Sequence, residues 1–185
     1  MIVGVLLLAA GSAARFGSDK RVAVMSNNKS IIENTLATIE AIHLPLVVCL
    51  KKDDFQLQQQ LTEKKIKWVV NENSDKGMGT SIAKGISLCR QWDAIMIVLA
   101  DMPYVGSKTY RDIAATANRN SIVVPTYDTK KGNPVCFGSS FYQQLEQLNS
   151  DKGGKDVVFN NKYAVIEIAL NDEGILKDID KPEDL

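Results

Sequence analysis

Ile2-Val3-Gly4-Val5-Leu6-Leu7-Leu8-Ala9-Ala10-Gly11-Ser12-Ala13-Ala14-Arg15-Phe16-Gly17-Ser18-Asp19-Lys20 is the stretch from which the rest of the chain can be read. Its opening is almost continuously apolar, which suits a strand covered on both faces. The apolar run lacks a basic leader and stops at Gly11, too short to span a membrane and unlike a secretory leader. A buried first strand and a cytoplasmic protein are therefore expected. Small residues at positions 9 to 14 then let a backbone approach a ligand closely. Arg15 offers a fork of donors and Lys20 a mobile point charge, so the loop could surround a polyphosphate. Two familiar phosphate loops are excluded. G-x-x-x-x-G-K-[ST] fails because five residues separate Gly11 from Gly17 and no Lys follows Gly17. G-x-G-x-x-G fails because position 13 is Ala. The bland reading is a glycine-rich turn with two solvated cations.

Outward from this stretch, short apolar runs alternate with helix-like segments. Strands are expected at Ile2–Leu8, Leu46–Leu50, Lys67–Val70, Ala94–Leu99 and Ser121–Pro125, with Val135–Gly138 and Ala164–Ala169 pairing differently at the sheet edge. Helices are expected at Ser30–Ile42, Phe55–Glu63, Ser81–Cys89, Ser107–Asn118, Ser140–Leu148 and Lys155–Asn160. The alternation predicts a three-layer α/β/α domain with a mostly parallel sheet. The 185 residues suit one domain spanning positions 1–185. Ligands of such sheets bind at the carboxyl ends of the strands, which singles out the loops after Leu8, Val70 and Leu99.

Charge narrows the partners. With 22 basic and 22 acidic residues the net charge is zero, which gives no support for nucleic-acid or membrane-surface binding. Cys49, Cys89 and Cys136 are scattered and form no C-x-x-C pair, so buried thiols are expected rather than disulfides or a zinc site. The single histidine, His43, has no partner motif and reads as structural. Asp101 follows the apolar run Ile95–Leu99 and precedes Met102-Pro103, where a strand-end carboxylate is well placed to hold Mg²⁺. A helix N-cap or turn aspartate is the bland alternative.

Leu8-Ala9-Ala10-Gly11, Arg15, Gly17 and Lys20 resemble the L-A-A-G-x-S-x-R-M-G-x-x-K signature of the molybdenum-cofactor nucleotidyltransferases, which have the Rossmann-like nucleotide-diphospho-sugar transferase fold. Phe16 stands for the usual Met and Ala13 for the usual Ser. The likeness runs along nearly the whole chain. Asn28-Lys29-Ser30-Ile31-Ile32-Glu33 resembles G-K-P-L-L-E. Asn71 with Gly77-Met78-Gly79-Thr80-Ser81 resembles N-x(n)-G-M-G-x-S. Leu99-Ala100-Asp101-Met102-Pro103 resembles L-x-D-M-P. Gly132-Asn133-Pro134-Val135 with Phe137 resembles G-[HN]-P-V-x-F, Ser150–Gly154 resembles G-D-x-G-A, and Asp178–Asp184 resembles D-I-D-T-P-E-D.

The resemblance implies attack by an acceptor phosphate on the α-phosphorus of a nucleoside triphosphate, with pyrophosphate leaving. It gives Arg15, Lys20 and Asp101 catalytic roles and assigns Mg²⁺ to Asp101, with Asp180 as a second metal or substrate contact. The alternative for Asp180 is a cap before Pro182. Leu8, Ala9, Ala10, Gly11, Ser12, Asn71, Gly77, Gly79, Thr80 and Ser81 would form the nucleotide site, with Thr80 or Ser81 alternatively a plain helix N-cap. Gly132, Asn133 and Pro134 would face the acceptor, an edge-strand turn being the alternative. Ala10 stands where the guanylyl branch has Gly. Its methyl would narrow the base pocket, which favours CTP, with molybdopterin as acceptor and a molybdoenzyme or its chaperone as a protein partner. GTP, a sugar or polyol phosphate acceptor, and a non-catalytic nucleotide-binding accessory role remain the alternatives.

Overall fold

The structure, a computed structural model, describes residues 1–11, 16 and 19–185. Its strands are β1 (Val3–Leu8), β2 (Leu46–Lys51), β3 (Lys67–Asn71), β4 (Ala94–Leu99), β5 (Ile122–Tyr127), β6 (Lys130–Lys131), β7 (Val135–Gly138) and β8 (Val165–Ala169). The helices are α1 (Ile31–Glu40), α2 (Phe55–Glu63), α3 (Met78–Cys89), α4 (Ser107–Thr116), α5 (Tyr142–Glu146) and α6 (Lys155–Asn160). Among the described residues they build one sheet in the order β3-β2-β1-β4-β7-β5-β6, with β8 paired to β5. β3, β2, β1 and β4 run parallel, as do β5 and β8, whereas β7 is antiparallel to both β4 and β5. β7 is therefore interior, and only β8 follows the expectation of a late strand outside the central path.

Alternation along β1 divides the core. Val3, Val5 and Leu7 pack with Ile32, Leu36 and Ile39 of α1, Leu57 and Leu61 of α2, and Tyr110 and Ile113 of α4. Leu6 and Leu8 face the other way, onto Ile82, Ile86 and Cys89 of α3, Leu145 of α5 and Val157 of α6. Both faces of β1 are thus covered, which is why its apolar run is unbroken. The three cysteines are free and buried, and burial pushes the thiols up, Cys49 to about 11 and Cys89 and Cys136 to about 12. His43 lies exposed in the turn before β2, at the sheet's amino end.

Two substitutions in the G-K-P-L-L-E-like turn have a local reason. Asn28, at the glycine position, has a φ of 61°, a left-handed conformation that Asn tolerates better than most residues. Ser30, at the proline position, caps α1. Its hydroxyl accepts from the Glu33 N–H, and the Glu33 carboxylate accepts from the Ser30 N–H at 2.7 Å. The hydrogen bonds that Ser30 donates to it from its N–H and its hydroxyl hold the Glu33 carboxyl below the usual range.

Candidate functional site

The parallel strands end at a common rim, and a cavity of about 810 Å³ opens there. Leu8 to Gly11 form one wall and Leu99 to Asp101 another. Ser74 to Met78, Ser81, Asp151, Lys155, Asp178 and Asp180 complete it with Lys20 and Arg21. Three elements converge from distant parts of the sequence on one cluster. Asp101 follows β4, Lys20 follows the first loop, and the 178–180 segment arrives late in the chain. Lys20 Nζ lies 2.6 Å from Asp101 Oδ2 and 3.0 Å from Asp180 Oδ1. Burial pushes the Lys20 ammonium down, but hydrogen bonds and charge from Asp101 and Asp180 outweigh it, so its pKa stands above the ordinary lysine value.

The backbone around this cluster is fixed from several sides. The Ile179 N–H donates to the Asp101 carbonyl at 2.9 Å, and the Ile179 side chain is buried. Thr35 of α1 donates its hydroxyl to the Ala100 carbonyl at 3.1 Å. The cap before Pro182 belongs to Asp184, whose Oδ2 accepts from the N–H groups of Asp180 and Lys181. The Asp180 carboxylate accepts from Lys20 at 3.0 Å.

Asp101, Asp178 and Asp180 can each present one carboxylate oxygen, all within 4.8 Å of one another. Asp101 Oδ1 is buried with no hydrogen-bond partner among the described residues. A buried carboxylate oxygen left unpaired is costly, and a hard divalent cation bound by oxygen ligands would satisfy it. The donor set therefore fits such an ion. Asp178 escaped the sequence reading. The signal was present, since Asp178 and Asp180 flank the buried Ile179 and in an extended segment alternate residues share a face.

Arg21 is the other missed residue. It is only 4% exposed, and its guanidinium reaches both Asp19 and Asp54 through paired donors, with Asp54 oxygens at 2.6 Å. It also donates to the Ala9 carbonyl. Burial pushes its pKa down, but these carboxylates outweigh that and hold it above the ordinary arginine value. Arg21 thereby ties the end of β1 to the β2–α2 turn, where Asp54 Oδ2 accepts from the Lys51 N–H at 2.9 Å. A partner 33 positions away leaves no mark on the sequence around Arg21.

The remaining expected residues divide into two groups. Leu8, Ala9, Ala10, Gly11, Gly77 and Ser81 line the cavity with Lys20, Asp101 and Asp180. Arg15 and Ser12, with Ala13 and Gly17, lie outside the described residues. Asn71, Gly79 and Thr80 stand behind the lining. Asn71 is buried and donates to Thr80 Oγ1 at 2.8 Å and Ser81 Oγ at 3.0 Å, bracing the turn into α3. The N-cap of α3 is Gly77, three residues ahead of Thr80, so the N-cap reading of Thr80 or Ser81 is corrected. Thr80 at N3 donates its hydroxyl to the carbonyls of Asn73 and Gly77. Gly132 packs against Ile175, and the Asn133 N–H donates to the Ile175 carbonyl. This turn precedes β7 next to the Ile97–Val135 pair, at the carboxyl end of β4 but behind the lining. Gly132–Pro134 connects β6, which ends the strand order and pairs with β5 alone, to the interior β7.

Gly77 and Gly79 serve a close backbone approach. Gly77 has a φ of 112°, and a Cβ there would lie 2.6 Å from Asp151 backbone atoms. At Gly79 it would lie 2.6 Å from the Ser150 carbonyl oxygen, which accepts from the Gly79 N–H at 2.8 Å. Asp151 Oδ1 meanwhile accepts from the Met78 N–H at 3.4 Å. The 150–151 backbone thus occupies space beside α3 that the glycines could otherwise have offered a ligand. Gly79→Ala should gain about 1 kcal/mol of helix propensity but lose about 1–3 kcal/mol to the clash. A lower midpoint in urea denaturation is the expected result, and an unchanged or higher midpoint would contradict the packing.

Comparison with known proteins places these features in context. The family described as MobA-like NTP transferase domain matches residues 5–165. Among curated proteins, the bifunctional protein GlmU of Buchnera aphidicola is 23% identical over 141 residues, which take in 75% of this chain and 30% of GlmU. This match therefore spans less than a third of that relative's length. Among solved structures, Rv0371c from Mycobacterium tuberculosis superposes with a TM-score of 0.86 at 24% identity, covering 100% of this chain and 95% of that one. A manganese complex of the same protein superposes at 0.80. Molybdopterin-guanine dinucleotide biosynthesis protein A from Archaeoglobus fulgidus gives 0.70 at 17% identity, covering 98% and 94%. These neighbours share the nucleotide-diphospho-sugar transferase fold. Among the described residues, no helix is long and apolar enough to cross a membrane.

Proposed function

The chain belongs to the MobA-like NTP transferase domain family, and on that premise we propose that it is a nucleotidyltransferase joining a nucleotide from CTP to the phosphate of molybdopterin, with release of pyrophosphate. The observation that carries this reading is the convergence of Lys20, Asp101, Asp178 and Asp180 at the mouth of a strand-end cavity. Lys20 and Arg15 would hold the phosphates, since a fork of donors and a point charge suit phosphate oxygens. Asp101, Asp178 and Asp180 would hold the divalent cation, with Mg²⁺ the physiological choice. When bound, that ion would neutralise phosphate charge as the transfer proceeds. The manganese complex of the Rv0371c neighbour supports a divalent ion in this fold.

A phosphate acceptor is already anionic, so little is needed from the chain beyond alignment and charge neutralisation. Leu8 to Gly11, Gly77 and Ser81 would line the nucleotide side. Asn71, Gly79 and Thr80 would support it from behind by fixing the entry into α3. Gly132, Asn133 and Pro134 would act at one remove, shaping the rim on the acceptor side. Ala10 narrows the wall by one methyl, which favours a pyrimidine. The likeness to a molybdopterin-guanine dinucleotide protein favours GTP as the second reading.

The test is pyrophosphate release by the full chain with Mg²⁺, molybdopterin, and either CTP or GTP. Release with CTP is the expected result. Release with GTP alone would replace the base and keep the chemistry. Nucleotide binding with no release from either would reject molybdopterin as acceptor and turn the search to sugar or polyol phosphates or an accessory role.

A further inference from the structure

A second groove, of about 550 Å³, is lined by Lys155, Val158, Phe159, Lys162, Val165 and residues of β6 and β8. Lys155 lines the strand-end cavity as well. The groove's chemistry is unusual for a surface. Phe159 is 66% exposed, which leaves most of its ring uncovered by the chain. Lys162 Nζ stands 4.2 Å from the centroid of that ring. Lys131 is already neutralised by Glu167 at 2.6 Å. Lys155 and Lys162 have no carboxylate partner among the described residues, and both stand beside apolar side chains.

An exposed aromatic ring, one ammonium group over it and a second lysine in the same groove suit a ligand with an apolar ring and a negative charge. A ring can pack on Phe159, and a phosphate can take charge-assisted hydrogen bonds from Lys155 and Lys162. The volume is in the range of small-molecule sites. We propose that this groove is a second ligand site beside the strand-end cavity, which takes a small molecule carrying an apolar ring and a phosphate. It goes beyond the nucleotidyltransferase reading, and its ligand class rests only on the groove.

The test uses phenyl phosphate as probe, titrated into the full chain and followed by NMR of the Phe159 ring and the Val158 and Val165 methyls. Inorganic phosphate and benzyl alcohol supply the charge and the ring separately. Phenyl phosphate is expected to shift these resonances and to bind more tightly than either control. Lys155→Ala and Lys162→Ala should each weaken it roughly fivefold to tenfold. Both side chains are exposed, and an unchanged thermal midpoint would show the fold intact. Repeating the titration with CTP saturating should leave the probe's Kd within about twofold, because adjacent sites need not compete. Equal binding of probe and controls, shifts confined to other residues, or an affinity untouched by both substitutions would each overturn the proposal. So would displacement of the probe by CTP. Failure of pyrophosphate release with CTP and molybdopterin alongside intact probe binding would reject CTP transfer to molybdopterin and leave the groove's ligand class standing.

Discussion

Asp101→Asn is expected to lower kcat/KM for pyrophosphate release by about a thousandfold, equivalent to about 4 kcal/mol of transition-state stabilisation. The substitution keeps the shape of the side chain and removes the charge at the centre of the cluster. Lys20 would keep Asp180 as a partner, so the fold should survive. A second readout separates the metal role from a general loss of order. A ligand that binds the folded state at a hundred times its Kd stabilises by about 2.7 kcal/mol. For a chain of this size that is a rise in Tm of about 5–10 °C. Mn²⁺ or Mg²⁺ should raise the Tm of the native protein in this way and that of the Asp101→Asn variant far less. Activity within tenfold of native, or an equal metal-induced rise in both proteins, would remove Asp101 from the metal site.

Arg21→Ala should have the largest effect on stability. The guanidinium is almost wholly enclosed, and Asp54 beside it is only 9% exposed at its side chain. Taking away one partner leaves the carboxylates without compensation, which costs about 3–5 kcal/mol in buried pairs. A fall in Tm of roughly 10 °C is expected. Arg21→Lys should recover little, because an ammonium cannot reach both carboxylates in paired fashion. A change below 1 kcal/mol in denaturant titration would contradict the geometry. Acid should act on the same group. The Arg21 hydrogen bond holds the Asp19 carboxyl below its ordinary value of 3.8. Its contribution to stability is therefore present above that value and lost as the pH falls through the lower folded one. Arg21→Ala should remove this part of the acid sensitivity, checked by comparing Tm between pH 3 and pH 6.

These two sites differ in how far the sequence reveals them. β4 and β7 coincide with their expected bounds, and β1 differs by one residue, because unbroken apolar runs between turn residues allow few other readings. Asp101 could be singled out for the same reason, as the first carboxylate after such a run. α3 was placed three residues late. Thr80 and Ser81 look like N-cap residues, yet the start of α3 is set by Gly77 and by contact with the 150–151 backbone, neither visible locally. The different, antiparallel pairing of β7 was expected but its interior position was not, because an apolar pattern says nothing about strand order. Asp178 was readable from its alternation with Asp180 about the buried Ile179, but nothing local shows that the segment reaches Asp101. Arg21 was not readable at all, since its meaning depends on Asp54 and on the Ala9 carbonyl, which tertiary structure brings to it.

The hydrogen bond from Lys20 to Asp180 closes a loop of 160 positions, and Asp101 lies 81 positions from Lys20. Contacts of such span are formed against the full entropy of the chain between them and come late in folding. The half of the sheet from β3 to β4 can assemble from neighbouring segments, whereas the carboxylate cluster exists only once Ile179 has docked on the Asp101 carbonyl. A chain that ends after β4 holds Lys20 and Asp101 but lacks Asp178 and Asp180, so the carboxylate cluster cannot form from the first half of the sequence alone.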